Sequence, residues 1–314
     1  MANKNSVSKA IVNRLVVIGL GLIGSSLAAF VRERGLANQV IGISRRQSTL
    51  EIAMENGVVD DCAESLEQIA PELGSGDIVV VAVPTLTVPQ ILQDCASNLS
   101  ADVTVTDVAS VKQSVVEAAE NIYGEVPSQL VPGHPIAGSE KSGVTAANPN
   151  LFLDHRVILT PVGTTAADHL ARVVGLWEAA GASVSTMSVQ EHDQILAATS
   201  HLPHFLAYSL VDTLASMRDK NDIFRYAAGG FRDFTRIAGS DPVMWRDIAL
   251  ANKDAIIDVM DQMMNNLEAM RSAIANGDSD YLANLFASAR DARNQYSRML
   301  ESNKSDSENR ETHD

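Results

Sequence analysis

A glycine-rich turn near the N-terminus constrains the fold of this chain more than any other sequence feature. Gly19, Gly21 and Gly24 have the spacing G-x-G-x-x-G. The turn follows a short apolar run at residues 14–18, whose β-branched side chains indicate a buried strand, and residues 25–33 then have the pattern of a helix. A strand, a glycine turn and a helix in this order are typical of a dinucleotide-binding unit.

The three glycines of this turn suit the approach of a pyrophosphate group. Gly19 permits the tight turn, Gly21 lets the backbone come close to the ligand, and Gly24 lets the helix pack against the strand. The free N–H groups and the dipole of a helix N-terminus stabilise an anion. We therefore predict a cofactor site formed by these glycines and by the first helical residues, Leu22 and Ile23.

The residues after the second predicted strand, at 39–43, bear on the choice of cofactor. NAD-binding domains use an Asp or Glu there to bind the ribose 2′-hydroxyl. This chain has Ser44, Arg45 and Arg46 instead, and these residue types suit a 2′-phosphate through charge-assisted hydrogen bonds. The sequence favours NADP, with NAD as the alternative, and one of the two arginines can instead be a solvated surface charge.

Strands that alternate with helices predict a doubly wound, mostly parallel sheet. Short apolar runs rich in β-branched residues predict further strands. They lie at residues 78–83, 103–106, 129–131, 156–160 and 182–187. A helix is predicted at 166–180, between the last two of them.

Helical periodicity dominates beyond residue 187, above all at 247–276 and 279–300. The predicted fold class is α/β: an N-terminal Rossmann-type doubly wound sheet at 1–188, followed by an all-α helical substrate and dimerisation domain at 189–300. Residues 301–314 are polar and charged without apolar periodicity, which predicts a disordered tail.

Charge and composition exclude several classes of protein. The formal net charge of −15 argues against nucleic-acid binding, which needs a basic surface. No apolar run approaches the roughly 20 residues of a membrane span, and the polar N-terminus lacks the apolar core of a signal peptide. The two cysteines, Cys62 and Cys95, show neither zinc-ligand spacing nor a disulfide framework. We therefore expect a cytoplasmic protein without a metal site.

Ligands of a doubly wound sheet bind at the carboxyl ends of its strands. Val83 and Pro84, residues 107–112 and a predicted turn at 133–135 follow strands, so we expect them to line the nicotinamide half of the cleft. His134 in that turn is the side chain best suited to exchange a proton near neutral pH. Residue type alone leaves a catalytic role and a structural hydrogen bond equally open for His134.

Five motifs in order resemble those of the prephenate/arogenate (cyclohexadienyl) dehydrogenase family, and the resemblance extends from about residue 14 to residue 300. They are the glycine turn at 19–24, TDVASVK at 106–112, GHPIAGSEKSG at 133–143, SHLPH at 200–204, and GGFRDFTRIA at 229–238 with SDPVMW at 240–245. The resemblance implies a Rossmann-type domain joined to a helical domain that forms a homodimer.

The resemblance also implies a reaction, the oxidative decarboxylation that leads to tyrosine. Hydride would leave the hydroxyl-bearing ring carbon of prephenate for the nicotinamide, and the opposite carboxylate would depart as carbon dioxide while the ring becomes aromatic. The product would be 4-hydroxyphenylpyruvate, or tyrosine if arogenate is the substrate. The task of the protein would be orientation and the handling of one proton.

Residue roles follow from the same resemblance. His134 would accept the hydroxyl proton, and Ser110 would orient that hydroxyl or the nicotinamide amide. Arg236 would bind a substrate carboxylate, because its planar fork suits that task. The remaining substrate contacts would come from His204, in preference to His201, and from Ser139, Glu140 and Lys141. The charges of Glu140 and Lys141 favour prephenate or dual use.

Two other interpretations remain at the level of sequence. A different β-hydroxyacid dehydrogenase with the same two-domain plan would normally use a helical lysine for acid–base chemistry, whereas the best candidate here is a histidine in a loop. A non-catalytic protein that senses the cofactor would need neither His134 nor Arg236. Turnover of prephenate with a nicotinamide cofactor would separate these interpretations.

Overall fold

A parallel sheet organises the N-terminal part of the chain. The computed structural model describes residues 10–139, 141–217 and 224–311, with side chains described as far as 299. Six strands lie in the order β3-β2-β1-β4-β5-β6, and each neighbouring pair is parallel. They are β1 (Val12–Ile18), β2 (Ala37–Ile43), β3 (Asp61–Ala63), β4 (Ile78–Val81), β5 (Thr104–Asp107) and β6 (Leu130–Val131). This order is that of a Rossmann-type fold.

Helices cover both faces of this sheet. Leu15 and Val17 of β1 belong to one buried apolar cluster, and the alternate residues Val16 and Ile18 belong to another. Successive strand residues point to opposite faces, so both faces of β1 are packed. The connecting helices are α1 (Leu22–Glu33), α2 (Gln47–Glu55), α3 (Val88–Asn98) and α4 (Gln113–Tyr123).

A second sheet carries the predicted catalytic histidine. It contains β7 (Gly133–Ile136), β8 (Arg156–Leu159) and β9 (Ser183–Thr186), and α5 (Ala167–Ala179) precedes β9. The turn predicted at 133–135 is therefore wrong, because these residues pair with β8 in antiparallel register. A proline is tolerated in such a strand at the edge of a sheet.

The described elements beyond Thr186 are helices and turns, as the sequence predicts. They include α6 (Val189–Leu196), a π-helical turn (Ala197–His201), α7 (Leu202–Ala215), α8 (Gly229–Thr235), a 3₁₀ turn (Arg236–Gly239) and α9 (Pro242–Ala251). The chain continues as α10 (Lys253–Asn276) and α11 (Ser279–Glu311).

Two predictions about the C-terminal helices differ from the structure. A single helix was expected at 247–276, but the helix breaks at Asn252, whose side chain donates to the backbone oxygen of Asp193 at 2.9 Å. The last helix extends to Glu311, into the segment for which the sequence predicts disorder.

The chain divides into two compact units, Met1–Ile256 and Ile257–Asp314. The predicted boundary at residue 188 marks a different transition, from strands to helices. Within the second unit, apolar side chains along one helix are exposed, among them Met260, Met264 and Leu267. In the part of the chain that the structure describes, no helix has the length and hydropathy needed to cross a membrane.

Candidate active site

The glycine turn between β1 and α1 is tightly packed on its inner side. Gly19 has φ +101°, and a Cβ atom there would lie 2.4 Å from the carbonyl oxygen of Ala82. A Cβ atom at Gly24 would lie 2.2 Å from the backbone oxygen of Gly19. Both contacts are too short for any side chain, so the packing of α1 on β1 and on the end of β4 requires glycine at both positions.

The outer side of the same turn is open. A Cβ atom at Gly21 would meet nothing within 4 Å, and no side chain caps the helix that begins at Leu22. The first N–H groups of α1, including those of Leu22 and Ile23, are therefore available to a pyrophosphate. Val83 and Pro84 follow β4 next to this turn. The residues present fit a dinucleotide cofactor.

The three residues after β2 form a small polar surface. Arg45 and Arg46 are exposed, and Ser44 is half-buried, with its hydroxyl oxygen accepting the Arg46 N–H at 3.2 Å. Within the described residues, neither guanidinium takes part in an ion pair. Both are free to receive an anionic group of the cofactor.

A buried ion pair fastens β7 to the end of β5. The Lys112 ammonium pairs with the Asp107 carboxylate and donates to the backbone oxygen of Gly133 at 2.5 Å. Asp107 also accepts the N–H of Gly133 at 3.2 Å and that of Ala109 at 2.9 Å. The side chains of Lys112 and Asp107 have no exposed surface. Because Gly133 is held on both its N–H and its carbonyl, the next residue, His134, has a defined position.

His134 lies in a buried network of polar side chains. Its Nδ1 atom is 2.9 Å from Nε2 of His192, and Nδ1 of His192 is 2.7 Å from Oδ1 of Asp193. Ser188 and Glu191 form a capping box that begins α6, the helix that carries both residues. The cap sets the start of the helix and therefore the direction in which His192 and Asp193 point.

The surroundings of His134 keep its imidazole neutral. Burial lowers the pKa of His134 well below its ordinary value, and electrostatic interactions with His192, Lys112 and His201 lower it further. A neutral imidazole has one unprotonated nitrogen, which can accept a proton from a ligand. This is the protonation state that the predicted catalytic role requires.

A second cluster lies around Trp245. The ring of His204 stacks on Trp245 with centroids 3.8 Å apart, and the His204 Nδ1–H donates to the backbone oxygen of Ser200 at 2.8 Å. Pro203 lies in the first turn of α7, where its missing N–H needs no partner, and the π-helical turn ends two residues earlier at His201. With Nδ1 as the donor, Nε2 of neutral His204 is left as an acceptor.

Electrostatic interactions relate this cluster to the other predicted substrate residues. Burial lowers the pKa of His204, and the charge of Arg236 lowers it further. Burial also lowers the pKa of His201 to about 4, and His192 and His204 act on it in the same direction. Arg236 is itself exposed. Electrostatic interactions therefore link His134 to His201, His201 to His204, and His204 to Arg236.

The other predicted site residues are more exposed and lie in loops. Ser110 is half-buried in the loop after β5. Ser139 and Lys141 are exposed after β7, and the Ser139 hydroxyl oxygen accepts the Lys141 N–H at 3.2 Å. Glu140 lies outside the described residues. Among the described contacts, no hydrogen bond joins Ser139 or Lys141 to the histidines.

Several residues of the site were missed by the sequence analysis. The interaction of His192 with Asp193, the buried Lys112–Asp107 pair and the stacking surface of Trp245 emerge only in the structure. A usable signal existed for the first of these. Ser188 and Glu191 have capping-box spacing immediately before His192, which predicts a helix start at that point.

Comparison with known families agrees with this architecture. Residues 27–186 match the family model described as "Prephenate dehydrogenase, nucleotide-binding domain", and residues 188–288 match "Prephenate dehydrogenase, dimerization domain". The chain belongs to the prephenate dehydrogenase family. It is therefore a dehydrogenase that uses a nicotinamide cofactor.

Alignments with individual members of the family cover most of the chain. It is 36% identical over 282 residues to a cyclohexadienyl dehydrogenase of Zymomonas mobilis, covering 89% of this chain and 94% of the relative. It is 37% identical over 283 residues to a prephenate dehydrogenase of Bacillus subtilis, covering 89% and 75%. A crystal structure of prephenate dehydrogenase from A. aeolicus, in complex with hydroxyphenyl propionate and NAD+, has a TM-score of 0.83, with 36% identity and coverage of 92% and 99%.

The depressed pKa of His201 predicts a loss of stability in acid. The folded-state pKa is about 4 against an ordinary value of 6.5, so between these values the unfolded chain binds a proton that the folded chain does not. The free energy of unfolding should therefore decrease as the pH is lowered from 6.5 to about 4, by up to roughly 3 kcal/mol from this group.

A His201→Asn variant tests that expectation by urea unfolding at pH 7 and pH 5. Asparagine can still accept the hydrogen bond from Asn252 but does not titrate. The variant should lose less stability than the wild type between the two pH values. Equal losses would contradict the assigned cause.

Proposed function

We propose that this enzyme oxidises prephenate and releases carbon dioxide and 4-hydroxyphenylpyruvate, a step toward tyrosine. The observation that carries the proposal is the buried, neutral imidazole of His134. It lies on a strand that is fastened to the carboxyl end of β5, and the glycine turn follows the carboxyl end of β1 in the same parallel sheet. The relatives named above carry out reactions of this kind according to their names.

The residues of this chain have distinct tasks in the proposed reaction. The glycine turn and the start of α1 would hold the cofactor, which would supply the acceptor for the hydride of the hydroxyl-bearing ring carbon. His134 accepts the hydroxyl proton, and Ser110, in the loop after β5, orients the hydroxyl group. Arg236 binds a carboxylate of the substrate beside His204. The ring carboxylate leaves as carbon dioxide, and its bonding electrons complete the aromatic ring.

Arogenate is a second candidate substrate, and the geometry of His204 favours it. The Nε2 atom of neutral His204 is an acceptor, because Nδ1 donates to the Ser200 carbonyl. An acceptor there suits the ammonium group that arogenate has in place of the prephenate ketone. The exposed positions of Ser139 and Lys141 suit contacts with that end of either substrate, and the sequence adds Glu140 as a further candidate. Assays of each substrate with each cofactor distinguish single from dual specificity.

We further propose NADP as the preferred cofactor, with NAD as the alternative. Two exposed arginines without ion pairs and the Ser44 hydroxyl occupy the position where an acidic residue would select NAD. The 2′-phosphate would bind there, while the pyrophosphate binds at the N-terminus of α1.

We also propose that the enzyme acts in the cytoplasm as a homodimer. Cys62 and Cys95 are free thiols, which fits a reducing compartment. The exposed apolar side chains of the second compact unit suit an interface between two copies of the chain. In this proposal the nucleotide-binding domain at 1–188 binds the cofactor and carries His134, and the helical domain at 189–300 contributes substrate contacts and the dimer interface.

Replacement of His134 by asparagine should lower kcat by roughly 10²–10⁴-fold with little change in KM. Asparagine can preserve the hydrogen bond to His192 but has no basic nitrogen to accept the hydroxyl proton. Steady-state assays with prephenate measure this directly. The exposed His155 provides a matched control, since His155→Asn should leave kcat unaltered. Wild-type turnover in His134→Asn would remove the mechanism.

Replacement of Arg236 by glutamine should chiefly raise KM for the substrate. A charged hydrogen bond contributes about 1.5–3 kcal/mol, which corresponds to a change in KM of roughly 10- to 100-fold. Arg34→Gln, on the exposed end of α1, is the control. An unchanged KM in Arg236→Gln would show that the carboxylate binds elsewhere.

Replacement of Ser44 by aspartate should shift cofactor preference toward NAD. A carboxylate there would repel the 2′-phosphate and bind the ribose hydroxyls, so the ratio of kcat/KM for NADP to that for NAD should fall by about tenfold or more. Ser97→Asp, the same change on the exposed face of α3, should leave the ratio unaltered. A constant ratio in Ser44→Asp would place the ribose elsewhere.

A further inference from the structure

Three buried side chains form a continuous hydrogen-bonded series that ends at His134. Nδ1 of His134 lies 2.9 Å from Nε2 of His192, and Nδ1 of His192 lies 2.7 Å from Oδ1 of Asp193. His192 has no exposed surface, and Asp193 is 4% exposed. Because solvent does not reach His192 in the middle of the series, each hydrogen on its ring nitrogens must be donated to His134 or to Asp193.

The carboxylate at the far end of the series is ionised. Burial raises the pKa of Asp193, but hydrogen bonds from His192 and from the backbone of Lys112 and Gln113 outweigh that effect and lower it overall. The two backbone N–H groups lie 2.9 and 2.8 Å from the carboxylate and belong to the start of α4. Asp193 therefore caps that helix N-terminus from a neighbouring helix, which stabilises its negative charge.

An ionised carboxylate can only accept hydrogen bonds, so Nδ1 of His192 must carry a hydrogen. The other nitrogen of His192 is then either bare, if the ring is neutral, or protonated, if the ring is a cation. With a single hydrogen on the ring, both contacts of His192 run in the same direction: Nδ1 of His134 donates to its Nε2, and its own Nδ1 donates to Asp193.

A neutral His192 determines the hydrogen positions on His134. With Nε2 of His192 bare, the hydrogen between the two rings must belong to Nδ1 of His134. A neutral imidazole carries one hydrogen, so Nε2 of His134 is left unprotonated. That nitrogen is the one not engaged by His192, and it is the atom that must accept the substrate hydroxyl proton.

We propose that His192 and Asp193 are positioning residues that hold His134 in the tautomer with an unprotonated Nε2, ready to accept the hydroxyl proton of the substrate. This inference rests on the proposed function. In the reaction the substrate O–H bond breaks and its proton forms an N–H bond at Nε2. The His134 imidazolium so formed keeps its Nδ1–H bond to His192, and Asp193 compensates the new charge without itself taking the proton.

Two substitutions at His192 separate this role from simple packing. His192→Gln keeps an oxygen acceptor near the position of Nε2, whereas His192→Leu fills similar space without one. We expect His192→Leu to lower kcat by roughly 10²–10³-fold, with KM and cofactor affinity largely kept. His192→Gln should stay within about tenfold of the wild type, because it can still accept from His134.

The buried His169, whose Nδ1 is 2.7 Å from the Thr104 hydroxyl in another part of the first unit, provides the matched control. His169→Leu should retain kcat, which shows that replacing a buried histidine is not itself sufficient for the loss. Turnover of prephenate by the wild type tests the proposed function separately. If the wild type is active and the leucine and glutamine variants at 192 lose kcat equally, the positioning role is overturned.

The tautomer can also be measured without any change at His192. Nitrogen-15 spectra of wild-type enzyme labelled in histidine report which ring nitrogen carries the hydrogen, and signals absent from His134→Gln identify His134. The proposal requires a protonated Nδ1 and a bare Nε2 on His134. A His134 ring protonated at Nε2 and bare at Nδ1 would overturn it, even if His192→Leu failed to fold.

Discussion

The buried ion pair between Lys112 and Asp107 is the interaction on which the candidate site depends. It joins the end of the parallel sheet to β7, because Lys112 also donates to the carbonyl of Gly133 and Asp107 accepts its N–H. Two buried charges are costly to desolvate, and breaking such a pair typically costs about 3–5 kcal/mol. The ion pair fixes the position of Gly133, and the next residue is His134, the imidazole on which the proposed chemistry depends. The charge of Lys112 also helps to lower the pKa of His134.

The chain carries a net charge of −15, yet its proposed substrate is an anion. The structure reconciles these facts locally. Burial keeps His134, His201 and His204 neutral, so they add no charge before the ligand arrives, while Arg236 supplies a cation near His204. A few cations in a cleft can reverse the field that the whole surface produces. The same low-polarity surroundings that depress the histidine pKa values strengthen the polar contacts that a bound substrate makes with the buried histidines.

The glycine turn, the alternation of strands with helices and the change to helices near residue 187 could all be predicted, because each depends on residues close together in sequence. His134 could be identified as a candidate, although its strand was predicted as a turn. The reason is pairing: β7 exists because residues about 25 positions later form β8 beside it. The break at Asn252 has a similar origin, since its side chain bonds to Asp193 rather than to its own helix.

The amino-acid sequence by itself determined the dinucleotide-binding unit, the order of the elements and the residue types available for proton transfer and anion binding, because local periodicity and turn chemistry depend on nearest neighbours. Only the tertiary structure decided which of these side chains meet. His134 and His192 are 58 positions apart, and Lys112 and Asp193 are 81 apart, yet each pair is in hydrogen-bond contact. The protonation of a buried imidazole depends on such distant partners and on the exclusion of water, and no local pattern encodes either.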